Sequence, residues 1–186
     1  MVFDQLKLSP EEAAAFRAHD LLSVEHALAL AERWLEAGMS SLALACLLGE
    51  TPSTWGELAP DFEKAMVELG VQTPGPAESQ KLCLVVVLRA YLDNLQATPL
   101  TLDMLRQLLS QSRDGDWARQ IPQLSAIEAL LLEIDEWPYI YPALSAPSLT
   151  YEASLAQLLE ELRTAAREIL LHLEPTTGTP SPTQPA

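Results

Sequence analysis

The sequence predicts an all-α fold, a single compact bundle of about seven or eight helices around a central helix at 77–96. Leucine and alanine dominate the composition while isoleucine and valine are scarce, which favours helix over sheet. Apolar residues recur at spacings of three and four in most segments. Serine, threonine or proline precedes many of these segments, and glycine or proline follows them, as expected at helix ends.

The first helix is predicted from a start signal at Ser9. Ser9 suits the N-cap, Pro10 suits the first helical position, and Glu12 stands where it can complete a capping box. We expect this helix to run to about Ala18.

Three further helices are predicted before residue 71. They are 24–37, capped by Ser23 and ended by Gly38; a short helix from Ser40 or Ser41 that Gly49 closes; and a helix that restarts at Pro60 after a segment capped by Thr54 and stops at Gly70. Residues 71–76 form the clearest break in the chain and are a candidate subdomain boundary.

The central helix contains the longest apolar run of the chain, residues 82–88. Lys81 and Arg89 bound this run, which is far shorter than the roughly 20 residues of a membrane span. Three consecutive valines make a buried strand the stronger alternative, but Pro76 and the length of the uninterrupted segment favour helix. Its predicted inner face consists of Leu84, Leu88, Tyr91, Leu92 and Leu95.

The rest of the chain is predicted as helices, a connection and a tail. The helices are 102–111 capped by Thr101, a short one from Asp116, 123–136 halted by Pro138, and about 150–173. The last has a coiled-coil-like apolar seam, which we expect to pack along the bundle. Residues 137–149 form a connection, residues 175–186 a disordered Pro/Thr-rich tail, and residues 1–174 one domain.

The net charge of −15 disfavours binding to nucleic-acid phosphates and to anionic membrane surfaces. Residues 1–76 carry −8 and residues 125–186 carry −7, whereas the segment between them is neutral. An acidic protein of this kind attracts basic partners at a distance.

Two cysteines, Cys46 and Cys83, lie in apolar helical runs, and we expect both to be reduced core residues. The first residues lack the basic and apolar regions of a signal peptide, so we expect a cytoplasmic protein.

No motif carries the chemistry of catalysis, phosphate binding or metal binding. His19, His26 and His172 lack a ligand set of metal-binding spacing; Glu168 lies four residues before His172, which is typical of side-chain pairing on a helix. Residues 114–116 resemble part of a calcium loop, but the later ligand positions are filled by Ala118 and Ser125. We therefore predict no catalytic, cofactor or metal site.

One stretch, residues 133–142, combines carboxylates with aromatic residues. It predicts a partner-binding surface, because aromatic side chains are frequent at binding hot spots and carboxylates speed encounter with a basic partner. The predicted partner-binding residues are Glu133, Asp135, Glu136, Trp137, Tyr139 and Tyr141. The alternative is a helix end whose aromatic residues anchor the following loop to the core.

Residues 27–50, followed by 62–70, resemble a pattern of small uncharacterised bacterial helical proteins. The shared features are an amphipathic helix ending in glycine, a short second helix, and an acidic helix that bears a phenylalanine and ends in Leu-Gly. The resemblance implies a helical fold and no activity.

The sequence thus favours a non-catalytic, acidic protein-interaction module in the bacterial cytoplasm. One form of this hypothesis is an immunity-type protein that neutralises a basic toxin or effector. Two alternatives stay open. One is a helical scaffold or oligomerisation protein, with a homodimer through helix 150–173. The other is an enzyme that uses carboxylates or a metal.

Overall fold

A computed structural model of the chain describes residues 6–49, 52–72, 74–93, 99–112, 115–140 and 149–173. Within these residues the chain forms helices and no strand, so the predicted all-α fold is confirmed. The helices are α1 (Pro10–Ala18), α2 (Val24–Glu36), α3 (Leu42–Gly49), α4 (Trp55–Glu68), α5 (Pro76–Asp93), α6 (Pro99–Ser112), α7 (Pro122–Ile140) and α8 (Leu149–Leu173), with a 3-10 turn at Ala118–Gln120.

The predicted signals at the ends of the first helices are confirmed. The amide of Glu12 donates to Ser9 Oγ at 3.2 Å, and the amide of Ser9 donates to Glu12 Oε2 at 2.7 Å, which completes the capping box. Ser23 Oγ accepts from the amide of His26 at 3.1 Å. Gly38 (φ +85°) and Gly70 (φ +73°) adopt the left-handed conformation that ends a helix at low cost for glycine.

The predicted restart at Pro60 is wrong, because α4 is continuous from Trp55 with Pro60 as its sixth residue. Proline lacks the amide that would bond to the carbonyl four residues earlier, so the helix loses one hydrogen bond there. The Glu57 carboxylate accepts from the amides of Ser53 (2.8 Å) and Thr54 (3.2 Å), and these bonds lower the pKa of Glu57. This cap and the burial of Leu58 and Phe62 hold the helix through the proline.

Two other predicted helix limits are also wrong. Helix α6 begins at Pro99, so Thr101 lies inside it and is not its cap. Proline fits the first position of a helix because its φ is preset and its missing amide would have no intrahelical partner. Helix α7 continues past Pro138 to Ile140, so residues 137–140 are helical and not part of a connection. A proline that loses a single bond near a helix end is tolerated more easily than sequence rules imply.

Helix α5 is the centre of the bundle and packs against α1, α6 and α8. Leu84, Leu88 and Tyr91 of its predicted inner face are buried, and Leu92 is half-buried. Tyr91 Oη donates to the carbonyl of Leu159 in α8 at 3.1 Å, which ties the two helices together. Leu95 of the predicted face lies outside the described residues.

The apolar seam of α8 packs within the same chain. Leu162, Ala166 and Ile169 are buried in a core cluster that begins at Leu8, and α8 contacts α7 and α5. The core cluster includes residues from both sides of the break at 71–76. The single domain over 1–174 stays a prediction, and the tail at 175–186 lies outside the described residues.

The two cysteines differ, which corrects the expectation that both are core residues. Cys83 is buried in α5, and burial raises the pKa of its thiol to about 12. Cys46 is exposed on α3. Helix α3 is apolar on all sides. Within the described residues its main contacts are with α2 and α4, so its opposite face is exposed to solvent.

No helix in the described ranges is long and apolar enough to cross a membrane.

Candidate functional site

The sequence-predicted partner-binding residues lie on the last two turns of α7, with one exception. Asp135, Glu136, Trp137 and Tyr139 are within the helix, and the Glu133 side chain is exposed. Tyr141 lies outside the described residues. Since α7 ends at Ile140, the three carboxylates precede its last turn. The binding role of these residues stays a prediction.

The structure offers a second surface, the groove between α1 and α4, which we call the α1–α4 groove. It encloses about 550 Å³. Its lining consists of Ala14, Arg17 and Ala18 of α1, Asp20 of the following turn, Phe62, Glu63, Met66 and Val67 of α4, and Val71.

The groove exists because α1 is lined by alanine where it faces α4. Ala14 and Ala18 carry only a methyl group, so the wall formed by α1 is low. Phe62 and Met66 are buried and form an apolar floor. Val67 stands at the rim and is 76% exposed. Because Phe62 and Met66 are almost fully covered, Val67, exposed Ala18 and half-buried Val71 supply the apolar surface that is open to solvent.

Arg17, which lines the groove, is stacked on the ring of Trp55. The Arg17 guanidinium lies 4.4 Å from the centroid of the Trp55 ring, and its Nη1 is 2.9 Å from Asp20 Oδ1. Trp55 Nε1 donates to the carbonyl of Leu22 at 2.8 Å, and its ring meets Phe62 edge-on at 5.6 Å between centroids. A cation that is both stacked and ion-paired is held in place and locally neutralised.

A second cavity of about 350 Å³ is lined in part by Trp55, and Asp20 lines both cavities. It is bounded by the turn between α1 and α2 and by Asp103, Met104 and Gln107 of α6. Gln107 Nε2 donates to the carbonyl of His19 at 2.9 Å, which joins α6 to the end of α1. Asp20 itself has φ +55°, a left-handed conformation that aspartate tolerates better than most residues.

The walls of the α1–α4 groove carry an excess of negative charge. Helices α1 and α4 with the turn after α1 contain seven carboxylates and two cations, Arg17 and Lys64. Arg17 pairs with Asp20, and Lys64 contributes to the lowered pKa of Glu68, whose main cause is the hydrogen bond from the Ala43 amide. Glu63 lines the groove, and no ion pair of its carboxylate is found among the described residues, so it adds an exposed negative charge beside the apolar floor.

These features suit binding. The groove presents apolar surface, a fixed arginine and carboxylates. Among the residues that the structure describes, no group of three or more His, Cys, Asp or Glu side chains could hold a metal ion.

The sequence alone does not reveal this groove, because its walls come from segments that are far apart in the chain. Arg17 and Trp55 carry no shared motif. The alanines of residues 13–18 were a usable signal, since a helix that faces its neighbours with methyl groups leaves space beside it.

No family model, no curated protein and no solved structure matches this chain.

Proposed function

We propose that this chain is a non-catalytic acidic protein-interaction module whose partner is basic. The observation that carries the proposal is the α1–α4 groove, an apolar surface open to solvent between helices that have an excess of carboxylates. Apolar contact supplies affinity, while a surrounding negative charge speeds association with a basic protein and selects against acidic ones. The net charge of −15 extends this attraction over the whole molecule.

In the finer form of the proposal, the partner is a basic toxin or effector and this chain is its immunity-type inhibitor. Such an inhibitor acts by covering a positively charged surface that its target needs for activity. The acidic ends of the chain, residues 1–76 and 125–186, supply carboxylates for this role.

The experiment is affinity capture from extracts of the source cell with the full chain immobilised, at low and at high salt. We expect basic proteins to be retained at low salt and to be released as salt rises, since exposed charge pairs are screened. An unrelated protein of equal net charge serves as the control. Retention of no basic protein beyond that control would contradict the proposal.

Two paired variants separate the two candidate surfaces. One double variant, Glu11→Gln with Glu63→Gln, removes two negative charges beside the α1–α4 groove. The other, Glu133→Gln with Glu136→Gln, removes two negative charges from the end of α7. The pair that lowers capture of the basic partner identifies the binding surface. If neither pair lowers capture, the carboxylates at both surfaces are dispensable and the electrostatic part of the proposal fails.

A scaffold or oligomerisation protein that works through α8 is the second candidate. Leu171 favours it, because 79% of this side chain is exposed on α8. Leu162, Ala166 and Ile169 of the α8 seam are already buried in the core, so a homodimer would use the outward face around Leu171. Light scattering over a range of concentrations tests this candidate, and a strict monomer would contradict it.

A further inference from the structure

We infer that the α1–α4 groove binds one amphipathic α-helix of the partner, with its apolar face on Ala18, Val67 and Val71 and its lysines or arginines toward Glu63 and Glu11. This inference rests on the proposed function and assigns to it a surface and a mode of recognition. The shape of the groove favours a helix as its occupant, and the charges of the groove favour a basic helix.

The groove is too open to enclose a small molecule. Binding sites for small ligands cover most of the ligand surface, whereas Val67 at the rim of this groove is 76% exposed. An elongated occupant that stays partly in solvent fits such a surface. Burying the solvent-accessible surface of Ala18, Val67 and Val71 under apolar side chains would supply the stabilisation.

Both long walls of the groove are helices, and the described residues offer no strand edge with which a peptide strand could pair. A helix that lies between two helices packs at interaxial distances of 8–10 Å, and small residues in the wall allow such an approach. Ala14 and Ala18 provide this small wall on α1. Val67 follows Glu63 by four residues, so the two lie on one face of α4.

The charges at the rim select a basic helix. Glu63 lines the groove, and exposed Glu11 stands three residues before Ala14 on α1, which places it on the same face of that helix. Of the two cations of these helices, Arg17 is ion-paired with Asp20, and Lys64 is not among the residues that line the groove. Lysine or arginine on either side of an apolar stripe therefore meets unneutralised carboxylates on both walls.

The probe is a synthetic peptide of leucine and lysine, about four helical turns long, with leucines at spacings of three and four. A scrambled peptide of equal composition removes the apolar face, and a peptide with glutamate in place of lysine reverses the charge. Fluorescence anisotropy with the full chain measures binding. We expect the amphipathic basic peptide to bind at least about tenfold more tightly than either control.

Variants of exposed residues locate the site without disturbing the core. Val67→Asn should weaken peptide binding by about tenfold, since the most exposed apolar contact of the groove is lost, while Leu171→Asn on α8 should leave it unchanged. Glu63→Lys should weaken binding by about threefold at low salt and have little effect at high salt, whereas Glu168→Lys is its control on α8. Circular dichroism confirms that each variant is folded.

The inference is overturned if the wild-type chain does not bind the amphipathic peptide, or if Val67→Asn binds it as tightly as Leu171→Asn does. It is also overturned if the wild-type chain forms a dimer that Val67→Asn dissociates, because the groove would then be occupied by a second copy. Capture of a basic partner that survives Val67→Asn and Glu63→Lys would leave the proposed function standing while this surface fails.

Discussion

Two thiols in the same chain have opposite surroundings. Cys46 is exposed on α3, whereas Cys83 is buried in α5, where burial raises the pKa of its thiol to about 12. The thiolate is the reactive form, and a buried thiol of high pKa is rarely ionised at neutral pH.

We therefore expect a thiol reagent to modify one cysteine per folded chain at neutral pH and both after unfolding in denaturant. Cys46→Ser should abolish the reaction of the folded protein, while Cys83→Ser should leave it intact. Titration with a chromogenic disulfide measures the number of reactive thiols. Fast reaction at both positions in the folded protein would show that Cys83 is not enclosed.

Glu68 joins two helices through its carboxylate. Its Oε2 accepts from the Ser41 hydroxyl at 2.7 Å and from the Ala43 amide at 3.0 Å, so the end of α4 caps the start of α3. The Ala43 and Ser41 hydrogen bonds lower the pKa of Glu68 below its usual value of 4.5. A lowered pKa stabilises the folded state above the unfolded pKa, and this contribution disappears as pH falls through the folded pKa.

Glu68→Gln should consequently lower Tm at neutral pH, and the difference from wild type should vanish well below pH 4.5. The reason is that a protonated Glu68 and a glutamine are both uncharged at the start of α3. Thermal melts followed by circular dichroism across this range test it, with Glu168→Gln as the control. A difference that persists at acidic pH would show that the charge of Glu68 is irrelevant to the cap.

Pro60 lowers the stability of helix α4, in which it lies. It is exposed and lies in the second turn of α4, where the missing amide leaves one carbonyl without its helical bond. The opposite case is Pro122, also exposed, which occupies the first position of α7, where no amide is needed.

Pro60→Ala should stabilise the protein by about 1–2 kcal/mol, since the gain of a helical bond and the loss of a clash exceed the added entropy of the unfolded chain. Pro122→Ala should change stability by less than about 1 kcal/mol or lower it slightly. Denaturant unfolding measures both. If Pro60→Ala destabilises the protein, α4 is not a regular helix across this position.

At the scale of the whole molecule, the negative charges oppose compaction. The chain carries −15, of which −8 lies in residues 1–76. Salt screens such repulsion over a Debye length of about 10 Å at 0.1 M.

We expect Tm at neutral pH to rise when sodium chloride is added to a low-salt buffer, by a few degrees over the first few tenths of a molar. Glu161→Lys, at an exposed position of α8, should raise Tm in low salt and reduce the rise in Tm that added salt produces. Differential scanning calorimetry measures both. A Tm that falls on adding salt would mean that favourable ion pairs, such as Arg163 with Glu160, outweigh the repulsion.

The sequence by itself determined the fold class, the central helix and most helix ends. These depend on short-range physics: Ser9 with Glu12, Ser23, Gly38 and Gly70 act within one turn of their own backbone, and the buried face of α5 follows from the period of a single helix. Helix limits near prolines are harder to predict from sequence, because Pro60 and Pro138 each remove one helical hydrogen bond. Only the packing around the helix decides whether the helix ends at that point.

The tertiary structure alone decided what lies on the surface. Cys46 is exposed because α3 is at the edge of the bundle, a position that an all-apolar helix does not reveal. The α1–α4 groove arises where the alanines of α1 face the floor residues Phe62 and Met66, and its lining residue Arg17 is stacked on Trp55. Such a surface depends on distances between segments remote in the chain, and no local pattern encodes those distances.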